Sequence, residues 1–157
     1  MKRWFFLAIS LALLLPHSAW ATDARRGPIG VGVMLGEPNG VNLKFMTNAA
    51  QGLSLGAGID MEESGDWHFH ADYQHHFFPL DDNDWQEGNL ALYTGVGLRL
   101  RFLDGRDDDA GLRIPLGASF TLARVPLDLF VEVAPVLVLL PEREMDTDWV
   151  VGARFWF

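Results

Sequence analysis

The chain has 157 residues and a formal net charge of −9, from 12 Lys+Arg against 21 Asp+Glu. That balance excludes nucleic-acid binding, which needs a basic face. The absence of cysteine excludes a disulfide framework and a thiolate metal site. In chain order, the first element is a leader. Lys2-Arg3 is a short cationic start, Trp4 to Leu15 is an apolar run, and Ala19-Trp20-Ala21 fits a small-x-small cleavage site. Residues 1–21 are expected to be a secretory signal peptide removed from the mature protein. The alternative, a membrane anchor, is disfavoured because about 12 apolar residues fall short of the ~20 that a spanning helix needs. Loss of Lys2 and Arg3 lowers Lys+Arg to 10 and takes the net charge to −11. Residues 22–157 suffice for one domain, and no later stretch reads as a spanning helix. Any membrane crossing would therefore be made by strands.

Eight stretches with period-2 alternation follow, which predicts strands at 29–36, 41–47, 53–61, 67–78, 89–102, 111–122, 127–139 and 149–157. Clusters of Pro, Gly, Asn and Asp separate them, as expected between antiparallel strands. One face is apolar throughout, interrupted by His75, Thr94 and Pro135 but by no carboxylate, Lys or Arg. The other carries Lys44, Asp60, His68, His70, Asp72, Gln74, Arg99, Arg101, Arg113, Ser119, Thr121, Asp128, Glu132 and Arg154.

A soluble β-sandwich also has one apolar face, buried between its sheets. Two features favour a closed transmembrane barrel instead. Strands of about 9–14 residues suit a tilted membrane crossing. Nine glycines (30, 32, 36, 56, 58, 95, 97, 117 and 152) fall on the polar face. On a solvated surface they would weaken strands without return, whereas in a narrow interior they make room for Tyr93, Phe130, Trp156 and the arginines. The leader and an aromatic last strand agree with that reading. The fold expected is therefore all-β, a single closed antiparallel barrel of eight strands in up-and-down order, with no open edge left to lipid. Pro115 and Pro135 sit inside strands, and each predicts a bulge or a strand end. An even strand number puts both termini on the periplasmic side. The connections at 37–40, 62–66, 103–110 and 140–148 then face outward, the last three of them acidic.

The last strand runs Asp148-Trp-Val-Val-Gly-Ala-Arg-Phe-Trp-Phe157. It resembles the C-terminal assembly signal of bacterial outer-membrane barrels, with Val151, Phe155 and Phe157 on its apolar face. Four further stretches resemble an uncharacterised family of small eight-stranded outer-membrane barrels. They are Gly36-Glu-Pro-Asn-Gly40 followed by Val-Asn-Leu-Lys44, His68-Phe-His-Ala-Asp-Tyr73, Leu112-Arg-Ile-Pro-Leu-Gly117, and Phe130-Val-Glu-Val-Ala-Pro-Val-Leu137. The resemblance covers the whole mature chain and brings no activity with it. It implies a location in the Gram-negative outer membrane, contact with outer-membrane lipid, handling by periplasmic chaperones and the barrel-assembly machinery, and a monomer.

Candidate sites are few. His68, His70 and Asp72 share one strand face at i, i+2, i+4, about 6.5–7 Å between neighbours. They could hold a transition metal or be packed interior groups, and packing is the expectation. Lys44, Asp60, Asp72, Arg99, Arg101, Arg113, Asp128, Glu132 and Arg154 are expected to form an ion-pair network that plugs the lumen, because unpaired buried charges cost several kcal/mol each. Glu132 is expected to pair with Arg154 on the adjacent strand. Asp81-Asp-Asn-Asp84 and Asp107-Asp-Asp109 offer oxygen ligands without matching a calcium loop. Phe77, Phe78, Trp85, Trp149, Phe155 and Phe157 suit an aromatic girdle. Ser54 and Ser119 face the lumen, where a lipid-modifying nucleophile would be misplaced. No cofactor is expected. The leading expectation is a non-enzymatic envelope protein with a structural or interaction role. A narrow channel or small-solute binder is second, and a lipid-modifying enzyme third.

Overall fold

The computed structural model describes residues 27–60, 65–79, 88–105 and 107–157. The expected leader, Trp85 and the Asp81–Asp84 run lie outside the described residues. All regular structure among the described residues is β. Nine strands form one antiparallel sheet: β1 (Ile29–Glu37), β2 (Asn39–Met46), β3 (Gln51–Asp60), β4 (Asp66–Pro79), β5 (Gly88–Phe102), β6 (Asp109–Arg113), β7 (Leu116–Leu122), β8 (Leu127–Leu140) and β9 (Glu144–Trp156). Apart from β6 and β7, which both pair with β5 and β8, neighbours in sequence pair with one another, and β1 pairs with β9 from Gly30↔Trp156 to Glu37↔Trp149. The sheet thus returns on itself as a ring of eight strands, in which β6 and β7 are two halves of one. The last strand closes it, paired with β8 on one side and β1 on the other.

Alternation assigns the faces. Val33, Leu35 and Leu98 point outward and are 58%, 62% and 59% exposed, while Lys44, Arg99 and Arg113 point inward and are almost wholly buried. The ring is apolar outside and charged inside. Glycine takes part in this arrangement by close approach. A Cβ at Gly117 would collide with the Tyr93 ring and hydroxyl, one at Gly152 with the Phe130 ring, and one at Gly56 with His70. One face of the wall is kept bare so that large interior groups can lie against it.

The turn after β1 explains its motif. Gly36 takes φ +139°, and its amide donates to Asn39 Oδ1 at 3.2 Å. Only Pro38 separates β1 from β2, and its ring is buried against Gly58, where a Cβ would meet it.

Three expectations about the strands need correction. The stretch 111–122 breaks in two at Ile114-Pro115, as Pro115 predicted, but Pro135 neither ends nor bulges β8. Its missing donor faces the break, so β8 keeps its full ladder with β9, Ala134↔Asp148 through Val136↔Asp146. The connection expected at 140–148 is largely strand: β8 runs to Leu140 and β9 starts at Glu144. Trp149 is consequently well inside β9 rather than near its end. Likewise, the connection at 37–40 shrinks to a single residue.

Candidate functional site

The interior is organised around Arg113 on β6. Its guanidinium donates from Nη1 to Asp72 Oδ2 at 2.6 Å, from Nη2 to Glu132 Oε1 at 2.7 Å, and from Nε to Asp148 Oδ2 at 3.0 Å. These carboxylates come from β4, β8 and β9, so one planar fork ties together both sides of the ring. A guanidinium is suited to this because its donors diverge in a fixed plane and it stays charged when buried. The second oxygen of Glu132 accepts from Tyr93 Oη at 2.9 Å and from Gln74 Nε2 at 3.1 Å. Gln74 Oε1 in turn accepts from Lys44 Nζ at 2.7 Å. The polar chain Arg113–Glu132–Gln74–Lys44 therefore crosses the interior from β6 to β2.

Lys44 completes its shell with His76 Nε2 at 2.8 Å and lies over the Tyr93 ring at 4.6 Å. Its ammonium is held by neutral groups and a π face rather than by a carboxylate. Towards the end that holds the chain termini, Arg154 pairs with Asp128 at 2.9 Å, donates to Asn42 Oδ1 at 3.1 Å, and stacks over Phe130 at 4.1 Å.

Towards the opposite end, Asp148 accepts from Arg99 Nη1 at 2.7 Å as well as from Arg113, and so links two layers of charge. Arg99 also reaches Asp146 at 2.8 Å, and Arg101 reaches Asp109 at 2.5 Å and Asp146 at 3.3 Å. Above this layer the ring opens into a cavity of about 660 Å³ whose lining includes Glu37, Asp60, Arg101, Asp107, Glu142 and Glu144. The mouth is strongly acidic, with arginine at its floor.

Most of the expected interior residues are brought together. Lys44, Asp72, Arg99, Arg101, Arg113, Asp128, Glu132 and Arg154 all belong to the network, and Asp60 lines the mouth. One pairing is corrected. Arg154 is matched by Asp128, not Glu132, because β8 and β9 set Asp128 directly opposite Arg154 and Glu132 opposite Val150. His68 and His70 do not converge with Asp72 on a common point. The two imidazoles meet edge-on, Nδ1 of His70 lying 3.4 Å from Nε2 of His68, while Asp72 is engaged by Arg113. Among the described residues no group of three or more His, Cys, Asp or Glu is placed to hold a metal ion. Ser54 and Ser119 are buried inside, and Ser54 Oγ accepts from Asn42 Nδ2 at 3.1 Å. In the last strand Val151, Phe155 and Phe157 are exposed on the outer face.

Sequence reasoning missed Asp109, Asp146 and Asp148, which it assigned to connections. Parity held the clue: Asp148 and Asp146 continue the inward series of Arg154, Gly152 and Val150, and Asp109 continues that of Arg113 and Gly111. The four motif stretches supply much of the interior. Asn42 and Lys44 come from the first, His68, His70 and Asp72 from the second, Arg113 and Gly117 from the third, Phe130 and Glu132 from the fourth. Chemically, the arrangement neutralises cations against anions and fills space. Comparison with protein-family models, with curated proteins and with solved structures finds no match for this chain.

Proposed function

We propose that residues 22–157 form an eight-stranded transmembrane β-barrel of the bacterial outer membrane, exported through a leader at 1–21, with a structural or interaction role in the envelope and a plugged lumen. The observation that carries this reading is the inverted polarity of the ring. Large apolar side chains are exposed along the outer face while ion pairs fill the inside. A water-soluble monomer rarely exposes an apolar patch beyond a few hundred Å², and a sandwich would bury Val33, Leu35 and Leu98 rather than expose them. A closed ring in lipid meets both demands at once, since the described strands pair on both sides and their charges face inward.

Under this reading the protein acts without catalysis. Its partners are outer-membrane lipid and, during biogenesis, periplasmic chaperones and the barrel-assembly machinery that reads Val151, Phe155 and Phe157. It works as a monomer. The test is gel mobility of the membrane fraction, heated against unheated, for the full chain and for a Phe157 deletion. A faster unheated band that the deletion weakens is the expected result. Recovery in the soluble fraction, with no mobility shift, would sink the proposal.

One observation favours a second reading, a narrow cation-collecting channel or small-solute binder. The mouth cavity gathers seven carboxylate side chains around the single cation of Arg101. Planar-bilayer conductance separates the two. A silent bilayer supports the plug, and discrete cation-selective steps support the channel.

A further inference from the structure

The outer face has three irregular positions, His75, Thr94 and Pro135; the rung through the first two runs on to Leu116 and Val133, and Pro135 lies two residues beyond Val133 on β8. His75 on β4 stands opposite Thr94 on β5. Thr94 Oγ1 donates to the carbonyl of Pro115 at 3.0 Å, and the Gly95 amide donates to the same oxygen at 3.0 Å. One strand further on, the Ile114 amide donates to the Pro135 carbonyl at 3.0 Å. In an antiparallel ladder each such bond has a reciprocal one. Here both reciprocals need a proline nitrogen as donor, and proline has none. Two neighbouring ladders thus each lose a bond at adjacent residues, in the place where β6 and β7 part. No other proline lies within a described strand, apart from Pro79 at the end of β4.

On the inner side at this level Pro115, Ala134 and Val136 are fully buried, Pro115 against Gly95 and Val136 against Gly111. Gly95, Gly97, Gly111 and Gly117 flank the break, and Ala134 is the inward residue of β8 beside it. Just behind lie Tyr93, whose ring rests against Gly117, and Glu132 and Arg113. Outside it, Val96, Leu116 and Val133 are about half exposed.

We infer that Pro115 and Pro135 make this seam the place where the wall opens sideways, giving the surrounding apolar phase access to the interior beside Tyr93, Glu132 and Arg113. The inference rests on the reading that the outer face meets lipid. Local opening is governed by the backbone bonds that must break, and here two adjacent ladders each lack one.

The chain has no cysteine, so a single introduced thiol reports access. Ala134→Cys, at the seam, and Ser54→Cys, on the inner face of β3, are reacted in phospholipid vesicles with a lipid-soluble maleimide. Reaction at position 134 is expected to be about tenfold faster, the population difference that roughly one backbone hydrogen bond makes. Adding Pro115→Ala and Pro135→Ala, which restores both donors, is expected to remove most of that difference. Equal rates at the two positions, or a rate at 134 that ignores the proline replacements, would overturn the inference. If Ala134→Cys does not fold, amide exchange on the unsubstituted chain decides. The Gly95 and Ile114 amides are expected to exchange faster than those of Gly56 and Leu43, and equal protection would overturn the idea. A protein that keeps its heat-dependent mobility but shows a silent seam loses only this inference. One that lacks the mobility shift loses the membrane reading first.

Discussion

Two regions of the interior are built from the same chemistry at different depths. In the middle, Arg113 and its partners Asp72 and Glu132 have side chains that are 0%, 0% and 5% exposed. At the mouth, Arg101 is 20% and Asp146 35% exposed. Both regions bring arginine to carboxylates at comparable distances, 2.6–3.0 Å in the middle and 2.5–3.3 Å at the mouth. Distance therefore does not distinguish them. What differs is the fate of a charge that loses its partner. In the middle it stays desolvated and has no water to turn to, whereas at the mouth solvent replaces the missing ion. The middle should specify the structure, and the mouth should be free to vary.

The sharpest way to break this contrast is Arg113→Ala. It leaves Asp72, Glu132 and Asp148 close together without the cation that holds them. Breaking a buried pair costs about 3–5 kcal/mol. Two carboxylates, Asp72 and Glu132, lose their ion-pair partner while Asp148 keeps Arg99, which places this variant at the upper end. The expected outcome is a large fall in the urea midpoint of the detergent-folded protein, or failure to give the fast-migrating unheated band. A loss below about 1 kcal/mol, the size of a surface pair, would mean that water reaches the middle of the ring.

Arg154 offers a cleaner version, because its charge partner is the single carboxylate of Asp128. Arg154→Leu alone is expected to cost about 3 kcal/mol, since it strands Asp128 in the interior. Adding Asp128→Leu should recover most of that loss, because an apolar pair of similar volume can replace a buried ion pair at little cost. A double variant no more stable than the single would show that the pair itself, and not the stranded charge, carries the energy.

A third prediction moves from charge to space. Gly117→Val places branched carbon where the Tyr93 ring and hydroxyl now lie. Overpacking of this kind costs about 1–3 kcal/mol, and displacement of Tyr93 also removes its bond to Glu132. The comparison variant Gly105→Val sits in a turn with nothing within 4 Å of the added Cβ. Its φ of +75° makes that site strained for any side chain, so a measurable cost there would be backbone strain, with Tyr93 and its bond to Glu132 left untouched.

Much of this interior was legible in the sequence because a strand has only two faces. Once alternation was recognised, the inward side of Lys44, Asp72, Arg99, Arg113 and Arg154 followed from counting by twos. The reason for the glycines followed as well, since nine on the charged face had to make room for something. Register was not legible. Whether Arg154 meets Glu132 or Asp128 depends on the length of the connection between β8 and β9, and that was read as nine residues when it is three. The acidic residues of that stretch read as a solvated turn, which hides the inward side chains of Asp146 and Asp148. The meeting of Pro115 with Pro135 was hidden for the same reason. Each proline announces a missing donor, but only the pairing of Ile114 with Pro135 shows that the two gaps are neighbours. Alternation places residues on faces, and loop length decides whom they face.

The smallest expected effect is at the mouth, and it tests the comparison from the other side. Arg101→Ala removes the partner of Asp109 and a contact to Asp146, yet Arg99 remains beside both, at 3.6 Å and 2.8 Å. Asp109 is 5% exposed, but Arg101 at 20% and Asp146 at 35% are open to solvent. Pairs that solvent reaches contribute about 0.2–1 kcal/mol and weaken with salt. The urea midpoint should therefore fall only slightly, and the difference from the unsubstituted protein should shrink as sodium chloride is raised. The same salt series should leave the cost of Arg113→Ala nearly unchanged, because ions do not screen charges that solvent cannot reach. Parallel salt dependence in the two variants would mean that mouth and middle share one solvated interior, and the plug would have to be reconsidered as a wet channel lining.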